Sequence, residues 1–199
     1  MKYLLFFAAV TGLCISPLCG APTGLREIPM AEVQAALARP LPAHPRLLVT
    51  DAQLAEIQAR RESSPALQTF YRAILDKADT IVRQKPVERI QTGRRLLSVS
   101  RTCLDRVLHL STAYRFSRRP EYLERAQKEM LAAAAFSDWN PSHFLDVAEM
   151  TAALAIGYDW LYPDLPEAAR TTIRQAIMDK GLRPSLKNPG WVRGHNNWN

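Results

Sequence analysis

The chain has 199 residues, 47% apolar and 23% charged, with 26 basic against 19 acidic side chains and a net charge of +7. That length suffices for one domain, and no internal boundary is visible. The positive surplus weakly favours polyanionic partners, but the basic pairs Arg60-Arg61, Arg94-Arg95 and Arg118-Arg119 are scattered, read as solvated helix ends and loops, and give no reason to propose a nucleic-acid partner.

Residues 1–20 read as a secretory signal peptide: Lys2 supplies one positive charge, Tyr3 to Ile15 is apolar, and Gly20/Ala21 is the expected cleavage point. An apolar core of about a dozen residues is too short for a membrane span, which needs roughly 20. The expectation is therefore a periplasmic or secreted protein without stable membrane insertion. Ser16-Pro17-Leu18 lacks the small residue usual before a lipidated cysteine, so Cys19 does not point to a lipoprotein. Cleavage removes Cys14 and Cys19 and leaves Cys103 alone, so stability must come from packing rather than a disulfide.

Residues 21–45 read as an extended N-terminal segment, Pro-bearing from Ala38 to Pro45, and 46–199 as helical. Thr50-Asp51-Ala52-Gln53 matches a capping box at a helix start. Ser64-Pro65 begins a second helix, with proline at its tolerated first position and apolar residues at helical spacing up to Pro86. The spacing predicts a third helix from about Ser98 to Phe116, with Cys103 as a small buried hydrophobe. Pro120 opens a fourth. After the loop Ser137 to Ser142, a fifth runs from Phe144 to about Tyr158, apolar nearly all round and so expected in an inner layer. A sixth starts at Pro166 and is expected to end at Gly181, a natural left-handed cap. No alternating β-branched run competes. Helices joined by short polar loops imply an all-α fold of antiparallel pairs, either a solenoid or a closed toroid.

Candidate chemistry gathers in two stretches. From Trp139 to Trp160, polar side chains interrupt an apolar background: Trp139, Asn140, His143, Tyr158, Asp159 and Trp160 are candidate substrate-binding residues. Asp146 and Glu149 share a helix face, as acid and base carboxylates would, or as salt-bridge partners of arginine. His143, at the helix start, reads either as a cap or as part of an anion site. The second stretch, Gly190 to Asn199, crowds His195, Asn196, Asn197 and Trp198 into a tail whose uncharged amides and indole faces suit a carbohydrate cleft. Metal binding has little support, since there is no His-Glu-x-x-His and no cysteine pair, and no cofactor is expected.

Three ordered blocks, Trp139 to Met150, Ala155 to Tyr162, and Asn196-Asn197-Trp198-Asn199, together with the opening His44-Pro45-Arg46-Leu47-Leu48, resemble the N-terminal helical domain of heparinase II/III-like polysaccharide lyases of the heparinase II type. The resemblance covers most of the chain after the signal peptide. It implies an incomplete (α/α) toroid, 46–199 being its front part, cut off at the C-terminal end and followed in the full enzyme by β-sheet domains. It also implies β-elimination on an acidic, uronate-containing polysaccharide. Neutralising the uronate carboxylate acidifies the neighbouring C–H, and an amide placed there acts as an oxyanion hole does. On the resemblance, Asn197 first and Asn196 second are the catalytic amides. Related lyases often follow the asparagine with histidine, where this chain has Trp198; His195 could substitute. The resemblance places the tyrosine base beyond Asn199, which would leave this stretch alone an incomplete enzyme. The alternatives are a toroidal glycoside hydrolase using Asp146, Glu149 or Asp159, and a non-catalytic helical glycan-binding protein.

Overall fold

A computed structural model of the chain describes residues 29–37 and 40–187. The chain divides into two compact units, one ending at Leu41 and the other beginning at Pro42. The first contains helix α1, Met30–Leu37, with Glu32 in its first turn. The stretch 21–45 is therefore not extended throughout: Met30 to Leu37 contains no helix breaker, and it forms two turns.

The second unit carries α2 (Asp51–Ala59), α3 (Pro65–Val82), α4 (Leu97–Ser117), α5 (Pro120–Ala134), α6 (Phe144–Leu161), α7 (Glu167–Ala176), a π-helical segment (Ile177–Leu182) and α8 (Arg183–Lys187). No strand occurs among the described residues, so the fold is all-α. The helix starts follow the predicted chemistry. Thr50 accepts the Gln53 amide while the Gln53 side chain accepts the Thr50 amide, the two halves of a capping box. Ser64 caps α3 ahead of Pro65. At the end of α4, Arg118 takes a left-handed conformation with φ 56°, its amide bonds the Tyr114 carbonyl, and Pro120 opens α5 two residues later.

α4 and α6 make the most extensive helix contact and run in the same direction. At their starts Asp146 accepts the Leu96 amide, and near their ends the Arg115 guanidinium lies over the Trp160 ring. α3 runs against α4: Tyr71 stacks on Phe116 at one end, and Gln84, just past α3, bonds Arg106 towards the other. α5 lies against α3, α4, α6 and α7. The helices thus fall into two layers, α4 and α6 in one and α3, α5 and α7 in the other. Leu110, Tyr122, Met130, Met150, Leu154, Leu161 and Ile173 fill the space between with virtually no exposure. Each such burial stabilises by roughly 1.5–3 kcal/mol. Gly157 marks a close approach within the core, because a Cβ there would stand 2.5 Å from both Met130 Sδ and Val107 Cγ1.

Two polar features enter this core. Glu129 is fully enclosed, 2.6 Å from Arg125 and 3.3 Å from Arg106, and these guanidiniums reach on to the carbonyls of Gln84 and Lys85. Cys103 is buried, and burial together with the Glu129 charge pushes its thiol up, so it packs as a small hydrophobe.

The C-terminal helix differs from expectation. Gly181 does not end it; the chain passes through as a π turn and continues to Lys187. Gly181 is there for proximity rather than capping, since a Cβ would meet Thr151 Oγ1 at 2.5 Å and the Trp139 ring at 3.2 Å. Lys180 turns inward and donates to the carbonyls of Ala134 and Phe136 where α5 ends, and burial pulls its ammonium below the usual lysine range. The fifth predicted helix is longer than expected, reaching Leu161, because Tyr158, Asp159 and Trp160 all find partners in its last turn. Among the described residues, no helix is long and apolar enough to cross a membrane.

Candidate functional site

The start of α6 is organised by a loop that spends its own polar groups locally. Asp138 accepts the Asn140 amide at 2.7 Å and the Arg89 guanidinium at 2.6 Å. Burial opposes ionisation of Asp138, but these two donors more than offset it and hold the carboxyl below its ordinary range. Asn140 sits at φ 59°, a left-handed conformation that asparagine tolerates better than most residues. Its amide nitrogen donates to the Arg94 carbonyl at 2.8 Å and to Asp146 at 2.6 Å, and its oxygen accepts Ser142 Oγ at 2.8 Å.

Asp146 is the centre of the arrangement. It is fully enclosed; Oδ2 accepts the Leu96 amide at 2.6 Å and the Asn140 amide at 2.6 Å, while Oδ1 stands 2.7 Å from His143 Nδ1. An ionised carboxylate can only accept, so His143 Nδ1 must carry a hydrogen, and Nε2 is left to exchange a proton or a hydrogen bond with something else. The His143 side chain is 26% exposed, enough to meet a ligand. A buried acid holding one nitrogen of a partly exposed imidazole fixes both the tautomer and the ring direction. One turn on, Glu149 pairs with Arg101 at 3.0 Å. The two carboxylates that share a helix face are therefore both engaged, Asp146 by buried donors and Glu149 by an arginine.

Trp139 has no face open to a sugar: it is fully enclosed and its indole donates to the Ala133 carbonyl at 2.9 Å. It shapes the loop from behind.

Tyr158, Asp159 and Trp160 lie at the opposite end of α6. Asp159 is thirteen residues beyond Asp146, about 20 Å at the helical rise, so the two ends cannot serve one sugar. Asp159 is almost fully buried and fastens the segment that precedes α2. Its oxygens accept the amides of Arg46 at 2.9 Å and Leu47 at 2.8 Å and stand 2.5 Å from His44 Nδ1. The His44 ring stacks on Tyr162 with centroids 4.1 Å apart and meets Tyr158 edge-on at 5.9 Å, and the Trp160 indole donates to the Leu47 carbonyl. This aromatic end of the helix is a clasp.

His195, Asn196, Asn197 and Trp198 lie outside the described residues. Of the other candidates, the structure joins Asn140 and His143 through Asp146 and separates them from Tyr158, Asp159 and Trp160. Sequence reasoning missed the partners that come from far along the chain: the Arg94 carbonyl, the Leu96 amide and His44. Among the described residues, no group of three or more histidine, cysteine, aspartate or glutamate side chains is placed to hold a metal. Compared with known proteins, the chain matches no family model and no curated sequence.

Proposed function

We propose that this chain forms the helical front wall of an exported polysaccharide lyase, with α3 to α7 belonging to an (α/α) toroid, which cleaves uronate-containing anionic glycans by β-elimination. The observation that carries the reading is the imidazole of His143, partly exposed at the start of α6 and held at one nitrogen by a fully buried carboxylate. Such an imidazole can exchange a hydrogen bond with a ligand oxygen without reorienting. The alternation of two helical layers agrees with the toroid.

In this reading Asn197, with Asn196 beside it, donates to the uronate carboxylate and stabilises the anion that develops. His143 Nε2 holds a second substrate oxygen. A base, supplied by a tyrosine further along the full-length protein, removes the proton alpha to the carboxylate. The electron pair released becomes a carbon–carbon double bond, and the glycosidic oxygen leaves and takes up a proton. Trp139 and the aromatic end of α6 support the wall and do not touch sugar. The hydrolase alternative fares worse, because Asp146, Glu149 and Asp159, its candidate acids and bases, are each tied to fixed donors.

The test is Asn197→Ala in the full-length protein with a polyuronate substrate. The reading expects kcat to fall at least a hundredfold with little change in KM, as for loss of an oxyanion-hole donor. Unchanged kcat would remove Asn197 from the mechanism and the reading with it.

A further inference from the structure

We propose that the Arg94–Arg95 turn is a built anion-binding element, which holds charged groups of the glycan next to the sugar that faces His143. The proposal rests on the reading of the α6 start as a substrate wall.

Among the described residues, most arginines are spent on the protein's own groups. Arg118 pairs with Asp164 at 3.2 Å, Arg119 with Asp79 at 3.0 Å and Glu121 at 2.7 Å, and Arg61 lies over the Tyr71 ring. Arg89, Arg101, Arg106, Arg115, Arg125, Arg170 and Arg183 each reach a carboxylate. Arg94 and Arg95 are both exposed, and neither pairs with an acid among the described residues. Two arginines on consecutive residues raise the local positive potential and favour a nearby anion; the planar fork of each suits a carboxylate or a sulfate.

What distinguishes this pair from ordinary surface charge is how firmly its backbone is held. Thr92 and Arg95 exchange both backbone hydrogen bonds, at 2.9 and 3.2 Å, around Gly93 at φ 59°. That conformation is one a side chain would strain. The Arg94 carbonyl accepts Asn140 Nδ2, and the next amide, Leu96, donates to the buried Asp146. Asp146 is also the carboxylate that fixes His143. One enclosed acid thus sets the position of the imidazole and of the turn that carries two free cations. With the backbone already held, binding costs only the rotamer freedom of the two arginine side chains.

There is also room for a chain to continue. A groove of about 290 Å³ runs beside the first turns of α4, the helix that the turn leads into; Lys85, Glu88, Ser98, Thr102 and Arg106 form its polar side and aliphatic side chains, among them Ile90, form the rest. Its hydroxyls and the Lys85 ammonium suit a polar, negatively charged oligomer, and Glu88 is the one acid among the groups facing it.

The experiment is equilibrium binding to the full-length protein of three probes: an oligomer of glucuronic acid, a sulfated dextran oligomer and uncharged dextran. The test variant is Arg94→Gln with Arg95→Gln, and the control, Arg60→Gln with Arg72→Gln, removes the same charge from exposed arginines elsewhere. The proposal expects the test variant to lose about tenfold or more in affinity for a charged probe, with a shallower salt dependence, and the control to lose less than about threefold. Loss with the sulfated probe alone assigns the turn to sulfate; loss with both charged probes assigns it to anions generally. Equal losses in both variants, unchanged affinity in the test variant, or no preference of the parent for charged over uncharged probes would overturn the proposal. Binding needs no turnover, so the two readings fail separately. A parent that releases no unsaturated product yet loses affinity through Arg94 and Arg95 keeps the anion site and loses the lyase; the converse keeps the lyase alone.

Discussion

Replacing Asp146 by asparagine alters charge while keeping shape, and the structure specifies what must follow. The carboxylate accepts three hydrogen bonds within a fully enclosed site: from Leu96 N, from Asn140 Nδ2 and from His143 Nδ1. An asparagine has one oxygen to offer, and the two buried donors on the Oδ2 side claim it. Its amino group then faces His143 Nδ1, which must give up its hydrogen and become an acceptor, moving the neutral tautomer's proton to Nε2. Charge-assisted bonds exceed neutral ones by about 1 kcal/mol each, so the three together put the loss at roughly 2–3 kcal/mol. Asp146→Ala leaves Leu96 N without its acceptor and Asn140 Nδ2 with one hydrogen unpaired beside its bond to the Arg94 carbonyl, at about 1–3 kcal/mol each, and so costs roughly 3–5 kcal/mol. Either is a large share of a total stability of about 5–15 kcal/mol. Denaturant midpoints give the energies, and nitrogen chemical shifts of the His143 ring give the tautomer. An asparagine variant that keeps the hydrogen on Nδ1 and unfolds within about 0.5 kcal/mol of the parent would refute the assignment of Asp146 as the organising group.

Three further outcomes follow from the same structure. Glu129→Ala strands Arg106 and Arg125 beside a buried hole and should destabilise by about 3–5 kcal/mol in chemical denaturation, whereas a loss below about 1 kcal/mol would show that solvent reaches the pair. The Asp79 carboxyl, held below its ordinary value of 3.8 first by the Tyr122 hydroxyl and then by Arg119, adds stability that is fully present above pH 3.8 and fades as pH falls below it. Asp79→Asn should therefore flatten the acid limb of a stability-versus-pH curve, and an unaltered limb would contradict the contact. Asp159→Ala should free the amides of Arg46 and Leu47 to faster hydrogen exchange while leaving the His143 tautomer unchanged; a change at His143 would mean that the two ends of α6 are coupled.

Local chemistry was legible in the sequence and distant pairing was not. The capping box at Thr50 and the proline starts at Pro65 and Pro120 depend on residues within a turn or two of each other, which spacing reveals. Gly181 misled because the same residue serves two purposes, ending a helix or letting another chain approach, and only the position of Thr151 and Trp139 decides between them. Asp159 and Asp146 look alike as acids on an apolar helix. What separates a clasp from a site is that one meets the amides of 46 and 47, the other a partly exposed histidine and the turn before α4. Trp139 was read for its ring faces, but an indole hydrogen-bonded to the Ala133 carbonyl and covered on all sides has none to give.

The central claim, cleavage of a uronate glycan by elimination, is tested most directly by the products of the full-length protein acting on a polyuronate. Elimination leaves a carbon–carbon double bond conjugated with the carboxylate at each new non-reducing end, so near-ultraviolet absorbance should rise in step with new reducing ends. Reducing ends that accumulate without that absorbance would mean hydrolysis and would contradict the account.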